Sequence, residues 1–174
     1  MAAIMPSSMS TVFNFTFVPW FRSVAPYIHK FRQQTFVVGI TGEAIAAGKL
    51  QAIVQDLAMI QAMGVKIVLV HGFRPQVNEQ LRLKNHEPQY AAGMRITDSI
   101  ALDCAQEAAG QLRYEIEAAF SQGLPNTPMA GARVRVMSGN FLTARPVGIV
   151  DGVDFQHTGL VRKVDVEGIR RALE

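Results

Sequence analysis

The sequence predicts an α/β fold, a mostly parallel sheet sandwiched by helices, and three observations carry that expectation. Lys66 to Asn78, KIVLVHGFRPQVN, runs from a nearly continuous β-branched segment, Ile67 to His71, straight into a glycine and a proline. That order reads as a strand covered on both faces, a tight turn and a helix start. Thr35 to Ile40, TFVVGI, is a second continuous apolar segment, and it runs into Thr41-Gly42-Glu43. Helical periodicity follows each segment, at Leu50, Ile53, Val54, Leu57 and Ile60 and then at Val77, Leu81 and Leu83. Consecutive units of this kind imply a parallel sheet with right-handed crossovers.

The bulk properties agree with one globular unit. At 174 residues and 49% hydrophobic composition the chain can bury a core. A net charge of +3 from 17 basic and 14 acidic scattered residues gives no basic stripe for nucleic acid. Cys104 is the only cysteine, which excludes an internal disulfide and leaves it as a small buried apolar residue. His29, His86 and His157 have no partners at metal-ligand spacing, so no metal is assigned. Val12 to Phe21 is too short to span a bilayer and contains Pro19. No Lys or Arg precedes Arg22, so the charged start of a secretory signal is missing and a cytoplasmic protein is expected, with no membrane partner.

In chain order, residues 1–16 are expected to be a disordered leader, small and polar at first. A helix over residues 17–34 follows from the stripe Phe17, Phe21, Val24, Ile28 and Phe31, with Pro26 as a kink. Its apolar stripe must cover either its own sheet or a neighbouring subunit. Residues 35–174 form the remainder. Gly64 sits where the first sheet-covering helix needs a C′ residue, and Gly72 where a turn can use an unusual φ. Pro75 suits the first turn of a helix reaching about Leu83, with Val77, Leu81 and Leu83 inward. His86 to Thr97 reads as a hairpin or irregular flap. Asp98 opens a long helix whose stripe is Ala101, Ala105, Ala108, Leu112, Ile116 and Ala119, ending by Gly123 before a loop at Leu124 to Pro128. Arg133 to Met137 alternates like a half-exposed or edge strand. Ser138-Gly139-Asn140 forms a turn, and Phe141 to Val150 and Phe155 to Val164 are two strands joined through Asp151-Gly152, with bulges or bends at Gly148 and Gly159. Val166 to Leu173 closes the chain as a short helix.

Backbone N–H groups at a strand-to-helix turn favour carboxylates and phosphates. Gly42, Gly72, Phe73 and Arg74 are therefore the candidate cleft residues, joined by Arg95, Ser138 and Asn140. Arg95 has two readings, a fork on a ligand carboxylate or an ordinary surface ion pair. Arg74 either meets an anionic group or is solvated. His71 reads as a structural residue rather than a base, and Asn140 either satisfies loop backbone groups or faces the cleft. Asp151, Asp154 and Asp165 are spaced for turns. No nucleophile-base set can be argued, so no catalytic residue is assigned, and neither turn has dinucleotide-binding glycine spacing.

With these pieces in place the sequence resembles the amino-acid kinase family, of carbamate kinase-like fold. Within that family it is similar to the kinase-like N-terminal domain of bacterial N-acetylglutamate synthases. Where the family has Lys-x-Gly-Gly the chain reads Gly39-Ile40-Thr41-Gly42, and where it has His-Gly-Gly-Gly the chain reads His71-Gly72-Phe73-Arg74-Pro75. GMRITD at Gly93 to Asp98 resembles the segment whose arginine holds a substrate carboxylate. SGNFLTARPVG at Ser138 to Gly148, with VDGVDFQHTGLVRKVD after it, resembles the synthase branch in particular.

The resemblance implies a fold incomplete in this chain, about the first half of the kinase-like domain, with the acetyltransferase domain absent. Gly39 cannot supply the lysine charge on a transferred phosphoryl group, a loss of several kcal/mol or roughly a hundredfold in rate. A kinase fold without kinase activity is thus expected. L-arginine is implied as allosteric effector of the complete enzyme, with L-glutamate and acetyl-CoA as substrates of the downstream domain and no cofactor bound by this chain. A homo-oligomer is also implied. An acetylglutamate kinase and a non-catalytic binding or oligomerisation module are the alternatives, and the chain alone is expected to be inactive and to expose an apolar sheet face.

Overall fold

A computed structural model describes residues 7–123 and 134–174, with backbone alone for 7–16. The element that places everything else is a parallel pair, β1 (Thr35–Ile40) and β2 (Lys66–His71), in register from Thr35↔Lys66 to Ile40↔His71. Parallel neighbours need a crossover. Here it is α2 (Gly42–Ala46) and α3 (Leu50–Ala62), separated at Gly48, whose φ is +72°.

Each helix end has an identifiable cause. Thr41 caps α2 by accepting the Ala44 N–H on its hydroxyl at 3.2 Å. At the end of α3, Gly64 takes φ +91°, its N–H donates to Gln61 O and the Val65 N–H donates to Ile60 O. That is a Schellman closure, followed by the buried Val65, and it confirms Gly64 as C′. After β2 comes α4 (Arg74–Leu83), with Pro75 in its first turn. Val77 and Leu81, four apart, are 2% and 0% exposed. Leu83 is not inward as expected but 62% exposed, because two residues beyond Leu81 is the opposite side of a helix.

The hairpin expected at His86 to Thr97 is present as β3 (Gln89–Ala91) and β4 (Met94–Ile96), antiparallel, with Ala92 and Gly93 at φ +48° and +76°. Positive φ at both central residues gives the primed turn that matches strand twist. The long helix α5 (Ser99–Ser121) begins at Asp98, whose carboxylate accepts the Ala101 N–H at 2.8 Å. Its first half meets α4 through Ala101, Cys104 and Ala108, small enough for close approach. Its second half, Leu112, Ile116, Ala119 and Phe120, joins Ile40, Ile45, Val54 and Leu57 under the sheet. Cys104 is fully buried, as a small apolar residue.

Among the described residues the sheet is covered on one face only. Val38, Ile67 and Leu69 pack on the core, while Val37 is 71% and Val70 54% exposed on the opposite face.

Other boundaries moved. Helix α1 (Ser7–Phe31) starts ten residues earlier than the expected Phe17, so the disordered leader is not what 7–16 form; no Gly or Pro interrupts that stretch, and residues 1–6 lie outside the described ones. The helix runs through Pro19 and Pro26, the latter leaving the Arg22 carbonyl without its helical donor. Of the stripe, Phe17 and Phe21 are 44% and 46% exposed, while Val24, Ile28 and Phe31 are half-buried, Phe31 meeting Phe36 of β1 edge-on at 5.4 Å between ring centroids. The loop at Leu124 to Pro128 and Arg133 lie outside the described residues.

Val134 to Met137 forms no strand, although its alternation survives: Val134 and Val136 touch the core and Arg135 does not. The alternation is met by side-chain packing without a ladder partner. The region after it is a ribbon, β5 (Leu142–Pro146) paired with β8 (Gly159–Val164) and, at its tip, β6 (Ile149–Val150) with β7 (Val153–Asp154) around Asp151-Gly152. The register shift lies at Thr143/Ala144 rather than Gly159, which pairs regularly with Pro146, whereas Gly148 bends the ribbon at φ +77°. A Cβ on Gly159 would stand 3.3 Å from Ala144 Cβ, so cross-strand crowding is what calls for glycine there. Last, α6 (Val166–Ala172) is capped by Asp165. Among the described residues no helix is long and apolar enough to cross a membrane, and no group of His, Cys, Asp or Glu could hold a metal.

Candidate functional site

The two strand-to-helix turns are locked against each other. The Gly72 N–H donates to Ile40 O at 2.8 Å, and Gln76 Nε2 donates to Gly42 O at 3.1 Å. A Cβ on Gly42 would stand 2.8 Å from Pro75 Cδ and 3.1 Å from Gly72 O, and one on Gly72 would stand 3.2 Å from Gly42 N. Both glycines are required by close approach of backbone to backbone. Gly72 does not use the positive φ expected of it, since its torsion lies outside the left-handed region. Gly39, on the open sheet face, has nothing within 4 Å of a built Cβ.

Beside these turns stands a basic and aromatic cluster. Tyr90 and Arg95 face each other across the β3–β4 hairpin, and the Arg95 guanidinium lies 5.0 Å from the Tyr90 ring centroid. Arg74, the first residue of α4, lies 5.5 Å from the same ring and reaches Gly93 O at 3.5 Å. Cations over an aromatic face are attracted by the ring quadrupole. Asn78, one turn further along α4, accepts both Arg95 Nη2 and the Tyr90 hydroxyl, the latter at 3.0 Å. Among the described residues no carboxylate pairs with Arg74 or Arg95, and Arg95 Nη1 is buried without a partner, as are His71 Nδ1 and Gln76 Oε1. A buried donor on an uncompensated cation is chemically suited to a carboxylate or another anion.

Two further devices fix the hairpin. At its base, His86 Nε2 and Asp98 Oδ2 are 2.7 Å apart. The Asp98 carboxyl is held below its ordinary range chiefly by the Ala101 N–H, which outweighs the opposing effect of burial, with His86 adding to the lowering. From the ribbon, the Thr158 hydroxyl reaches Arg95 O at 2.6 Å, and the His157 N–H donates to Thr97 O at 3.0 Å.

The family model described as Amino acid kinase family matches residues 34–174. The chain belongs to the amino acid kinase family. Among curated members, an amino-acid acetyltransferase of Ralstonia nicotianae is 64% identical over 157 residues, 90% of this chain and 35% of that protein. One from Ectopseudomonas mendocina is 47% identical over 158 residues, 91% of this chain and 37% of its own. The chain thus spans about a third of the length of the curated relatives it matches. A crystal structure of N-acetylglutamate synthase from Neisseria gonorrhoeae, complexed with coenzyme A and L-arginine, superposes at a TM-score of 0.77 with 36% identity, over 91% of this chain and 37% of that one. The same enzyme complexed with coenzyme A and N-acetyl-glutamate gives 0.77 and 37%, over 91% and 35%.

Within this amino acid kinase fold the expected site residues fall into three groups. Arg74 and Arg95 are brought together on Tyr90, and Gly42 and Gly72 lie in the joined turns beneath them. Phe73, the residue before α4, is half-buried and packs against both core clusters. Ser138 and Asn140 are exposed on the irregular segment before β5, and no hydrogen bond among the described residues ties them to Arg74 or Arg95. Their segment leads into the ribbon, which meets the hairpin through Phe155 to Thr158 instead.

Asn78, Tyr90 and Thr158 escaped sequence reasoning. Asn78 is four residues after Arg74 and so on its side of α4, and Tyr90 follows from folding the hairpin about Ala92-Gly93. Those two signals were available. Nothing local marks Thr158.

Proposed function

We propose that this chain is the kinase-like, arginine-responsive regulatory part of an N-acetylglutamate synthase, the enzyme that transfers acetyl from acetyl-CoA to L-glutamate at the first step of arginine biosynthesis. Its relatives bear that activity in their names, and the Neisseria neighbour carries L-arginine and coenzyme A. The observation that carries the regulatory reading is the content of the two turns. Gly39 offers no cation, and Phe73 and Arg74 replace glycines whose bare backbone could cradle phosphate. The frame of a phosphoryl-transfer site is kept and its chemistry is gone.

In that frame Arg95 presents Nη1 to the carboxylate of a bound amino acid, steadied by Asn78 and Tyr90. The exposed Phe17 and Phe21, with Trp20 at 58% exposure, make α1 the subunit contact of a cytoplasmic homo-oligomer. The test is differential scanning calorimetry of the protein with L-arginine or MgATP. A ligand at about a hundred times its Kd adds about 2.7 kcal/mol, so L-arginine raises the melting temperature and MgATP leaves it unchanged. Stabilisation by MgATP together with phosphorylation of N-acetyl-L-glutamate overturns the proposal.

A further inference from the structure

Thr158 is fully engaged and far from Arg95 in sequence. Its N–H donates to Phe155 O at 3.0 Å, and its carbonyl accepts the Val147 N–H at 2.9 Å. Its hydroxyl has three neighbours: Arg95 O at 2.6 Å, the Thr97 N–H at 3.1 Å and Thr97 Oγ1 at 2.9 Å. A hydroxyl has one proton and two lone pairs. A carbonyl can only accept, so the proton goes to Arg95 O, the closer partner. The Thr97 N–H and the Thr97 hydroxyl then fill the two lone pairs. All three contacts are partly buried, where a missing partner is not replaced freely by water.

The surrounding backbone makes this a brace rather than an isolated contact. Gln156 bridges Thr97 in parallel, the His157 N–H donates to Thr97 O, and Phe155, 1% exposed, anchors the loop from below. Arg95 itself sits on a three-residue strand, too short to be rigid alone. We infer that Thr158 is the positioning residue for Arg95: the ribbon supplies, through one hydroxyl, the fixed backbone from which the guanidinium reaches Asn78 and Tyr90. This rests on the reading of Arg95 as a ligand-facing group, and it adds the element that sets its geometry.

The test uses the full chain with ¹⁵N-labelled arginine, the Arg95 signals being assigned by their loss in Arg95→Lys. In the parent chain the Arg95 Nε–H signal is sharp and its Nη signals are separate, because Asn78 and Tyr90 restrict rotation. In Thr158→Val, which keeps the shape and removes the hydroxyl, the Nη signals coalesce and Nε–H broadens. In Thr158→Ser they remain separate. Should the valine variant fail to fold, Thr158→Ala gives the same comparison with serine. A valine or alanine variant that lowers the melting temperature but keeps the separate Arg95 signals makes Thr158 merely structural and overturns the inference. Adding L-arginine, the ligand of that reading, decides it on its own. Unmoved Arg95 signals in the parent chain defeat the ligand-facing role of Arg95, while the ligand-free signals still decide Thr158.

Discussion

His86 and Asp98 close the base of the β3–β4 hairpin, Nε2 to Oδ2 at 2.7 Å, and the same carboxylate caps α5 through the Ala101 N–H. One side chain therefore ties the start of the longest core helix to the hairpin that carries Tyr90 and Arg95. Its carboxyl is depressed below the ordinary value, the Ala101 N–H being the main cause. A depressed carboxyl stabilises the fold fully above its unfolded value of about 3.9 and loses that contribution as pH falls through the lower folded value. Thermal melts in the acid range below about pH 4 should show this loss in the parent chain and a flatter profile in Asp98→Asn. Asp98→Ala, which removes the cap, should cost about 1 kcal/mol at neutral pH. Equal acid profiles for parent and Asp98→Asn would contradict the assignment.

The joined turns predict opposite effects at two glycines. Gly42→Ala puts a methyl 2.8 Å from Pro75 Cδ and should destabilise by about 1–3 kcal/mol. Gly39→Ala meets nothing within 4 Å, and removing a strand glycine should be neutral or stabilising by a few tenths of a kcal/mol to about 1 kcal/mol. Urea midpoints of the two variants, compared at equal slope, separate these outcomes.

Leu81 and Leu83 offer the same comparison on one helix. Leu81→Ala should cost about 2–5 kcal/mol, since the side chain is 0% exposed between α4 and α5. Leu83→Ala, at a site 62% exposed, should stay within about 0.5 kcal/mol. Similar losses at both positions would show that the face of α4 is misassigned.

Tyr90 is the ring on which both arginines rest. Tyr90→Leu keeps apolar bulk but removes the ring and its hydroxyl to Asn78, two cation–π contacts of about 0.5–1 kcal/mol each. Hydrogen exchange of residues 89–96 should quicken by roughly fivefold to thirtyfold while the α5 amides stay protected. Equal acceleration throughout the chain would mean that the ring supports the whole fold rather than the hairpin.

Local patterns sufficed for much of the architecture. The continuous runs Thr35–Ile40 and Lys66–His71, the Asp98 cap and the Gly64 stop each depend on neighbours within one turn or one strand, and the structure has all four. The misassignments arise where a residue answers to something distant. Leu83 continues the apolar series in the sequence, although the helix turns it outward. Phe73 reads from its turn as a cleft candidate, and only the packing of the two core clusters shows what else its ring touches. Val134 to Met137 alternates without a strand because packing, not pairing, satisfies its valines.

By itself the sequence determined the two strand-turn-helix units, the family they belong to and the absence of a lysine at position 39, because these depend on residue type and short spacing. Tertiary structure alone decided that Gly42 and Gly72 serve mutual approach, that Arg74 and Arg95 share Tyr90, and that Thr158 completes the hairpin from 63 positions away. Hydrogen bonds and ring contacts act over a few ångströms of space, and spacing along a chain does not encode which distant loops the core will bring within that reach.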